Sequence, residues 1–159
     1  MSVVAVNQSN ASEMFSIQPF ASFLQGAGSS DFSTATIDPQ SKMIYTMDSG
    51  PGRVGALRLG PSGLGPVWNA PQNTDEFLAL IGPAGHRVLV ATDAPGQNAA
   101  GPTYQYVVWR DAATGPELAR SPALTPISSG SMVEPSYGGR MEYLAANGQI
   151  LELAVRPAR

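Results

Sequence analysis

The chain has 159 residues, no cysteine and a formal net charge of −3, with charged side chains at only 13% of positions. This length is typical of one domain that can bury its own core. The lack of cysteine excludes disulfides, thiolate metal sites and a cysteine nucleophile, and the sparse, acidic charge argues against a nucleic-acid footprint. No apolar run approaches a membrane span.

The N-terminal sequence MSVVAVNQSN lacks the basic and apolar regions of a signal peptide. The compartment is therefore unknown, and export to the periplasm or the exterior would require a signal that this sequence does not contain. The 17 glycines and 14 prolines are spread along a chain that is 43% hydrophobic, and this composition favours many short strands joined by turns.

Residues 1–32 are predicted to form a hairpin and a linker that belong to a neighbouring sheet. The apolar runs Val3–Val6 and Met14–Ile17 flank a polar turn at Asn7–Ser12. The following segment, Gln18–Phe32, ends in a glycine- and serine-rich run, so we expect a loop with at most one short helix there.

Residues 33–156 divide into three similar modules, at about 33–70, 75–122 and 130–156. In each module, short runs rich in branched and aromatic residues alternate with turns containing Gly, Pro, Asn or Asp, which is typical of antiparallel strands. The predicted strands are 33–37, 43–48, 54–59 and 65–69 in the first module, 76–81, 87–92, 104–110 and 117–121 in the second, and 131–134, 140–145 and 149–155 in the third.

The second strand of each module follows a proline, a short turn and a basic residue. These basic residues are Lys42, Arg87 and Arg140, at intervals of 45 and 53 residues. Repetition at this period with four strands per unit is the sequence signature of a β-propeller. We therefore predict an all-β fold of antiparallel four-stranded sheets, arranged as the blades of a partial propeller.

A usual propeller closes with four to eight blades. Three modules and one hairpin should therefore form an incomplete ring: a fragment, a truncated gene product or one part of an assembly. We expect the two ends of the chain to stay apart, because closure would bend the sheets too tightly. The open strand edges and exposed apolar faces would then favour self-association.

Two runs of the sequence resemble the repeats of quinoprotein (PQQ) dehydrogenase-like propellers. The run VVWRDAATGPELARSPAL matches a strand–turn–strand element in which Asp111, Thr114 and Gly115 hold the turn, and ALRLGPSGLGPVW is a looser version that ends in Trp68. The second module has Ala119 where the repeat usually has tryptophan, which weakens any tryptophan contact between blades. The resemblance covers most of residues 33–155 and implies a fold shared by propellers of different activities.

Catalytic members of that family hold the quinone over a tryptophan floor with a calcium ion bound by Glu, Asn and Asp. Those ligands have no counterparts that we can place here, so we expect no catalytic or metal-binding residues. No cofactor is expected, and PQQ and calcium would enter only as part of a complete quinoprotein. The sequence also lacks the Asp-x-Asp-x-Asp-Gly pattern of a compact calcium loop.

The remaining conspicuous residues have structural interpretations. Tryptophans in propeller strands usually pack between sheets, and aspartates at strand ends usually cap turns. His86, the one histidine, lies in a turn and is expected to be solvated, as are most of the scattered arginines. The predicted structural repeat positions are Tyr45, Asp48, Trp68, Asp93, Trp109, Asp111, Thr114, Gly115 and Tyr143.

The polar loop Ala94–Thr103 is the best candidate contact surface, because function tends to lie on long loops over a rigid sheet scaffold. The candidate binding residues are Gln97, Asn98, Thr103 and Tyr104. The expected function is a non-catalytic binding or scaffolding module, whose protein or small-molecule partner the sequence does not identify. The alternative is a piece of a quinone-dependent dehydrogenase whose catalytic residues lie outside this chain.

Overall fold

The structure is a computed structural model, and it describes residues 2–23, 35–74, 78–95, 103–127 and 133–155. The described chain is all-β, with antiparallel sheets and two single-turn 3₁₀ segments, Ala21–Phe23 and Tyr137–Gly139. None of the described residues forms a helix long and apolar enough to cross a membrane.

The thirteen strands of the described chain form one hairpin and three sheets, each with its strands in sequence order. The hairpin pairs β1 (Val3–Asn7) with β2 (Asn10–Ile17). The first sheet contains β3 (Ala35–Asp38), β4 (Met43–Asp48), β5 (Arg53–Gly60) and β6 (Gly63–Pro71). The second contains β7 (Leu78–Ile81), β8 (Val88–Asp93), β9 (Tyr106–Asp111) and β10 (Glu117–Arg120). The third contains β11 (Val133–Pro135), β12 (Met141–Leu144) and β13 (Ile150–Leu153).

These strands confirm the predicted order, and no strand of the three sheets begins or ends more than two residues from its predicted position. The hairpin is the exception. Its turn is shorter than predicted, and β2 begins at Asn10 rather than Met14. Residues Asn10–Glu13, three of them polar, can join the strand because that part of it is exposed and needs no apolar side chain.

The second sheet contributes its two faces to two separate cores. One face packs on the first sheet, and we call this contact the first junction; the other packs on the third sheet at the second junction. Side-chain alternation along β8 explains the division, because Leu89 and Ala91 point to the first junction and Val90 points to the second. The buried residues of the first junction are Met43, Tyr45, Met47, Val54, Ala56, Leu78, Leu89, Ala91 and Ala112. Those of the second are Ala79, Val90, Val107, Trp109, Ile127, Val133, Met141, Tyr143 and Ala145.

The hairpin covers part of the other face of the first sheet. A Cβ placed on Gly63 would lie 2.9 Å from Cδ1 of Phe15, and one on Gly55 would lie 3.1 Å from Cε1 of Phe20. Two aromatic rings of the N-terminal segment thus rest on glycines of the first sheet, where the lack of a side chain makes room for them.

The three sheets are stacked in chain order, with their first strands next to one another. The initial strands of the three sheets approach one another, β3 with β7 and β7 with β11. At the two ends of the stack, β1 pairs only with β2 and β13 only with β12 among the described strands. Within the described residues, the hairpin and the third sheet therefore share no backbone ladder.

Candidate functional site

The candidate site lies where the chain passes from the first sheet to the second. The side chains of Gln72 and Thr74 both donate to the carbonyl oxygen of Thr92, at 2.9 and 2.7 Å. The backbone of Asn73 accepts a hydrogen bond from the amide of Ala94 at 2.9 Å. These bonds hold the connecting segment against the end of β8, beside the start of the loop that the sequence singled out.

Arg110 lies directly beneath this segment and is only 8% exposed. Its Nε donates to Oε1 of Gln72 at 2.7 Å, and its Nη1 donates to the carbonyl of Gly115 at 3.0 Å. Burial lowers its pKa below the usual arginine value. Arg110 is therefore an exception to the expectation that most arginines are solvated. It lies on the face of β9 opposite Val107 and Trp109, where its guanidinium is buried and bonds to Gln72 and Gly115.

Arg120 is held between two carboxylates. Its Nε and Nη2 donate to Glu117 at 3.0 and 2.9 Å, and its Nη1 donates to Oδ2 of Asp93 at 2.7 Å. The hydrogen bonds between Arg120 and Glu117 lower the pKa of Glu117 and raise that of Arg120. A guanidinium with two-point contact to one carboxylate and a third contact to another has little freedom left.

This fixed guanidinium covers a tyrosine. Cζ of Arg120 lies 4.9 Å from the ring centroid of Tyr106. Tyr104 meets Tyr106 edge to face, with 5.7 Å between centroids and 78° between planes. Tyr104 is 39% exposed. We call the group of Tyr104, Tyr106, Glu117 and Arg120 the Tyr104–Arg120 surface.

Of the predicted binding residues, Thr103 and Tyr104 are exposed, and Tyr104 belongs to this surface. Gln97 and Asn98 lie outside the described residues. Sequence reasoning missed Tyr106, Glu117 and Arg120. Tyr104 and Tyr106 are two residues apart, so the alternation of a strand could have placed them on the same face. Arg120 could not be placed in the same way, because the bulge between Glu117 and Ala119 shifts the alternation of β10 and the sequence does not reveal a bulge.

The predicted turn-capping aspartates behave in two ways. Asp48 accepts the amide of Gly50 at 3.1 Å, and Asp111 accepts both the amide and the hydroxyl of Thr114 at 2.8 Å. These bonds lower the pKa of Asp111. Asp93 instead accepts the amide of Asn73 at 2.9 Å and the guanidinium of Arg120. It ties the connecting segment to β10 rather than capping its own turn.

The two tryptophans pack between sheets. Trp68 donates from Nε1 to the carbonyl of Ala112 at 3.0 Å, and its ring lies on Gly115. Trp109 is 4% exposed in the second junction. Tyr45 is buried at the first junction beside Trp68, with 6.4 Å between ring centroids. Tyr143 is buried in the second, where its hydroxyl donates to the carbonyl of Thr125 at 2.5 Å.

His86 is exposed in the turn that precedes β8. Within the described ranges, no three His, Asp or Glu side chains are grouped so that they could hold a metal ion. Comparisons of the chain with protein-family models, with curated proteins and with solved structures each found no match.

Proposed function

We propose that the chain is a run of propeller blades that functions as a non-catalytic binding module. Three features support the blade arrangement: the sequence-order sheets, their face-to-face stacking, and the approach of their initial strands. A stack of this kind buries the faces of its inner sheets and leaves their turns and outer edges for contacts. The fold therefore serves as a rigid support for a surface.

The Tyr104–Arg120 surface is the contact region of this proposal, and its partner is a protein. The observation that best supports this proposal is that the side chains of the surface are held in place. Arg120 is fixed by Glu117 and Asp93, and the ring of Tyr106 lies beneath its guanidinium. Tyrosine and arginine dominate the energetic centres of protein interfaces. A surface that is already ordered loses little side-chain entropy when the partner binds.

The test is the recovery of partners by immobilised protein from an extract of its source, compared between the natural chain and Tyr104→Ala. Loss of a central tyrosine should weaken binding by about 30-fold or more, equivalent to about 2 kcal/mol. Tyr137→Ala is the matched control, since Tyr137 is 96% exposed in the turn before β12. Recovery that survives Tyr104→Ala but is lost with Tyr137→Ala would move the contact to the third sheet.

The second proposal is a piece of a quinone-dependent dehydrogenase. It is favoured by the ring of Trp68 on Gly115, because this joins the tryptophan to the Asp-x-x-Thr-Gly turn on which the resemblance rests. Dye reduction with alcohols or sugars after addition of PQQ and calcium distinguishes the two. The binding-module proposal expects no turnover; saturable activity that disappears in Asp93→Ala or Asp111→Ala would replace it with a dehydrogenase that has catalytic residues inside this chain rather than outside it.

A further inference from the structure

A second polar site lies at the mouth of the first junction, away from the Tyr104–Arg120 surface. Asp38, Met43 and Arg58 form one cross-strand row on the face of the first sheet that looks towards the second. Arg87 stands opposite this row, fixed through its carbonyl, which accepts the amide of Ala112 at 3.0 Å. Between them is a cleft of about 80 Å³, which Tyr45 also lines.

The volume of this cleft decides what size of ligand can enter. A cavity needs roughly 10–15 Å³ to hold one water molecule, so the cleft has room for on the order of five non-hydrogen atoms. That is the size of a small organic acid or a few waters rather than of a cofactor.

The acceptors of the cleft are already in use. Asp38 accepts the amide of Gln40 at 3.2 Å on Oδ1 and the hydroxyl of Ser41 at 2.8 Å on Oδ2. The hydroxyl of Ser41 is the main reason why the pKa of Asp38 is low. Asp111 is occupied in the same way by Thr114. Both carboxylates therefore stabilise their own turns.

Three groups of the cleft have donors to spare. Tyr45 is 1% exposed, and no described residue bonds its hydroxyl, whose pKa burial raises, so the group stays a donor. Arg87 donates from Nη1 to the carbonyl of Gly82, but its Nε is buried without a hydrogen bond, 3.9 Å from Oδ2 of Asp38. The side chain of Arg58 is exposed and makes no hydrogen bond or ion pair with the described part of the chain.

We propose that this cleft binds a small carboxylate. Unfilled donors on three side chains, two of them guanidinium groups, surround a space of the right size, and a carboxylate supplies the acceptors that they lack. Arginine is the side chain best suited to this role, because its planar fork matches the two oxygens of the ligand. The proposal is independent of the protein partner, since the cleft shares no residue with the Tyr104–Arg120 surface.

Titration of the full chain with acetate, followed by backbone amide chemical shifts, tests the site. Acetamide is the matched ligand, because it has the same shape without the charge and with one acceptor fewer. We expect saturable shifts with acetate at Gly85–Arg87 and Ala112–Ala113, with a dissociation constant no tighter than on the order of tens of micromolar for so small a ligand. Equal binding of acetamide, or no saturable shift with acetate, overturns the proposal.

Two variants assign the donors. Tyr45→Phe removes only the unpartnered hydroxyl, and Arg58→Gln changes an exposed side chain, so the second remains informative if the first disturbs the core. Each should weaken acetate binding by at least about tenfold. Arg140→Gln, an exposed arginine in the third sheet paired with Glu152, should leave it unchanged. Acetate binding that is unaffected by both cleft variants contradicts the assignment.

N-acetyl-glycyl-glycine, titrated in parallel, identifies the source of the carboxylate. Tighter binding than acetate assigns the cleft to the C-terminus of a peptide. Weaker binding assigns it to a free small acid, because the additional atoms of the peptide would not fit in a space of about 80 Å³.

Discussion

The two junctions stack the same kinds of sheet by different means. At the first junction, a single ring joins the two sheets: Trp68 lies on Gly115 and donates to the carbonyl of Ala112. Gly115 has a φ of +91°, and a Cβ there would lie 2.7 Å from Cδ2 of the indole. Both the backbone conformation and the ring therefore require glycine at this position.

At the second junction, the position that corresponds to Trp68 is Ala119, and a segment of chain takes the place of the ring. Residues 121–127 form isolated bridges from Leu124 to Gln105 in the second sheet and from Ile127 to Ala145 in the third. The amide of Ala146 donates to the carbonyl of Pro126 at 2.7 Å. The linker thus joins the two sheets through its backbone, and Leu124 and Ile127 contribute to the apolar cluster.

The contrast teaches that two neighbouring sheets can be joined without an aromatic ring between them. An aromatic ring fills a junction through one side chain, whereas a linker fills it with backbone bonds and small apolar groups. If the ring and the linker are equivalent ways to join two sheets, then substitutions at the two junctions should destabilise the folded state for different physical reasons. The following predictions test that difference, from the largest effect to the smallest.

The largest effect is expected from Trp109→Ala in the second junction. Trp109 is 4% exposed and packs among residues of both sheets and the linker. Its removal should lower the free energy of unfolding by about 4 kcal/mol, because a large cavity remains. Urea denaturation measures the loss. Leu118→Ala, at a side chain that is 56% exposed on the neighbouring strand, should change stability by less than about 0.5 kcal/mol.

Gly115→Ala tests the first junction and should lower the free energy of unfolding by about 3 kcal/mol, through backbone strain and displacement of Trp68. Gly138→Ala isolates the strain, because Gly138 has a φ of +72° but a Cβ placed there would meet no atom within 4 Å. That control should lose only about 1 kcal/mol, and urea denaturation measures both variants. Equal losses in the two variants would mean that the ring contact adds nothing to the first junction.

Ala119→Trp sharpens the comparison by giving the second sheet the residue that the first sheet has at the matching position of its last strand, Trp68. Ala119 already packs against the cluster that contains Leu124 and Ile127. A tryptophan would overfill that space, so we expect a destabilisation of about 2 kcal/mol, measured by thermal unfolding. A gain in stability would show instead that the linker is an imperfect substitute for the ring.

Much of the fold could be predicted because turn residues and strand alternation are local signals. The bridging role of residues 121–127 could not, since a linker without alternation looks like any loop. The burial of Arg110 could not be predicted either, because its partner Gln72 lies 38 residues earlier in the chain. At the candidate site, Tyr104 could be predicted because it follows a long polar loop. The contact between Asp93 and Arg120 could not, because the two residues are 27 positions apart and the contact depends on a bulge.

Acid should affect the Tyr104–Arg120 surface through Glu117. Its folded pKa lies below the ordinary value of 4.5, chiefly because Arg120 donates to it. This contribution to stability is therefore present above pH 4.5 and is lost as the pH falls through the lowered folded value. Glu117→Gln should be less stable than the natural chain by about 0.5–1 kcal/mol at pH 7, a modest value because the pair is partly exposed.

Chemical denaturation at pH 7 and at pH 3 measures this difference. The gap between the natural chain and Glu117→Gln should narrow at the lower pH, where the glutamate begins to take up a proton. A gap that is unchanged or larger at pH 3 would show that the carboxylate does not stabilise the folded state through its charge.

The smallest effect on stability, and the last test, concerns the two ends of the stack. The outer face of the hairpin carries Val4 and Val6, each 51% exposed, and Met14, 60% exposed. The outer face of the third sheet instead carries Glu134, Glu142 and Glu152 in one cross-strand row.

Like charges on a terminal sheet oppose further stacking, whereas an apolar terminal face favours it. We therefore expect a concentration-dependent dimer through the hairpin. Val4→Lys should weaken it in sedimentation velocity while changing the free energy of unfolding of the monomer by less than about 0.5 kcal/mol. Ile150→Lys, at a side chain that is 74% exposed on the glutamate face, should leave it intact. A monomer at every concentration, or a dimer that only Ile150→Lys disrupts, would show that the apolar hairpin face is not the one that associates.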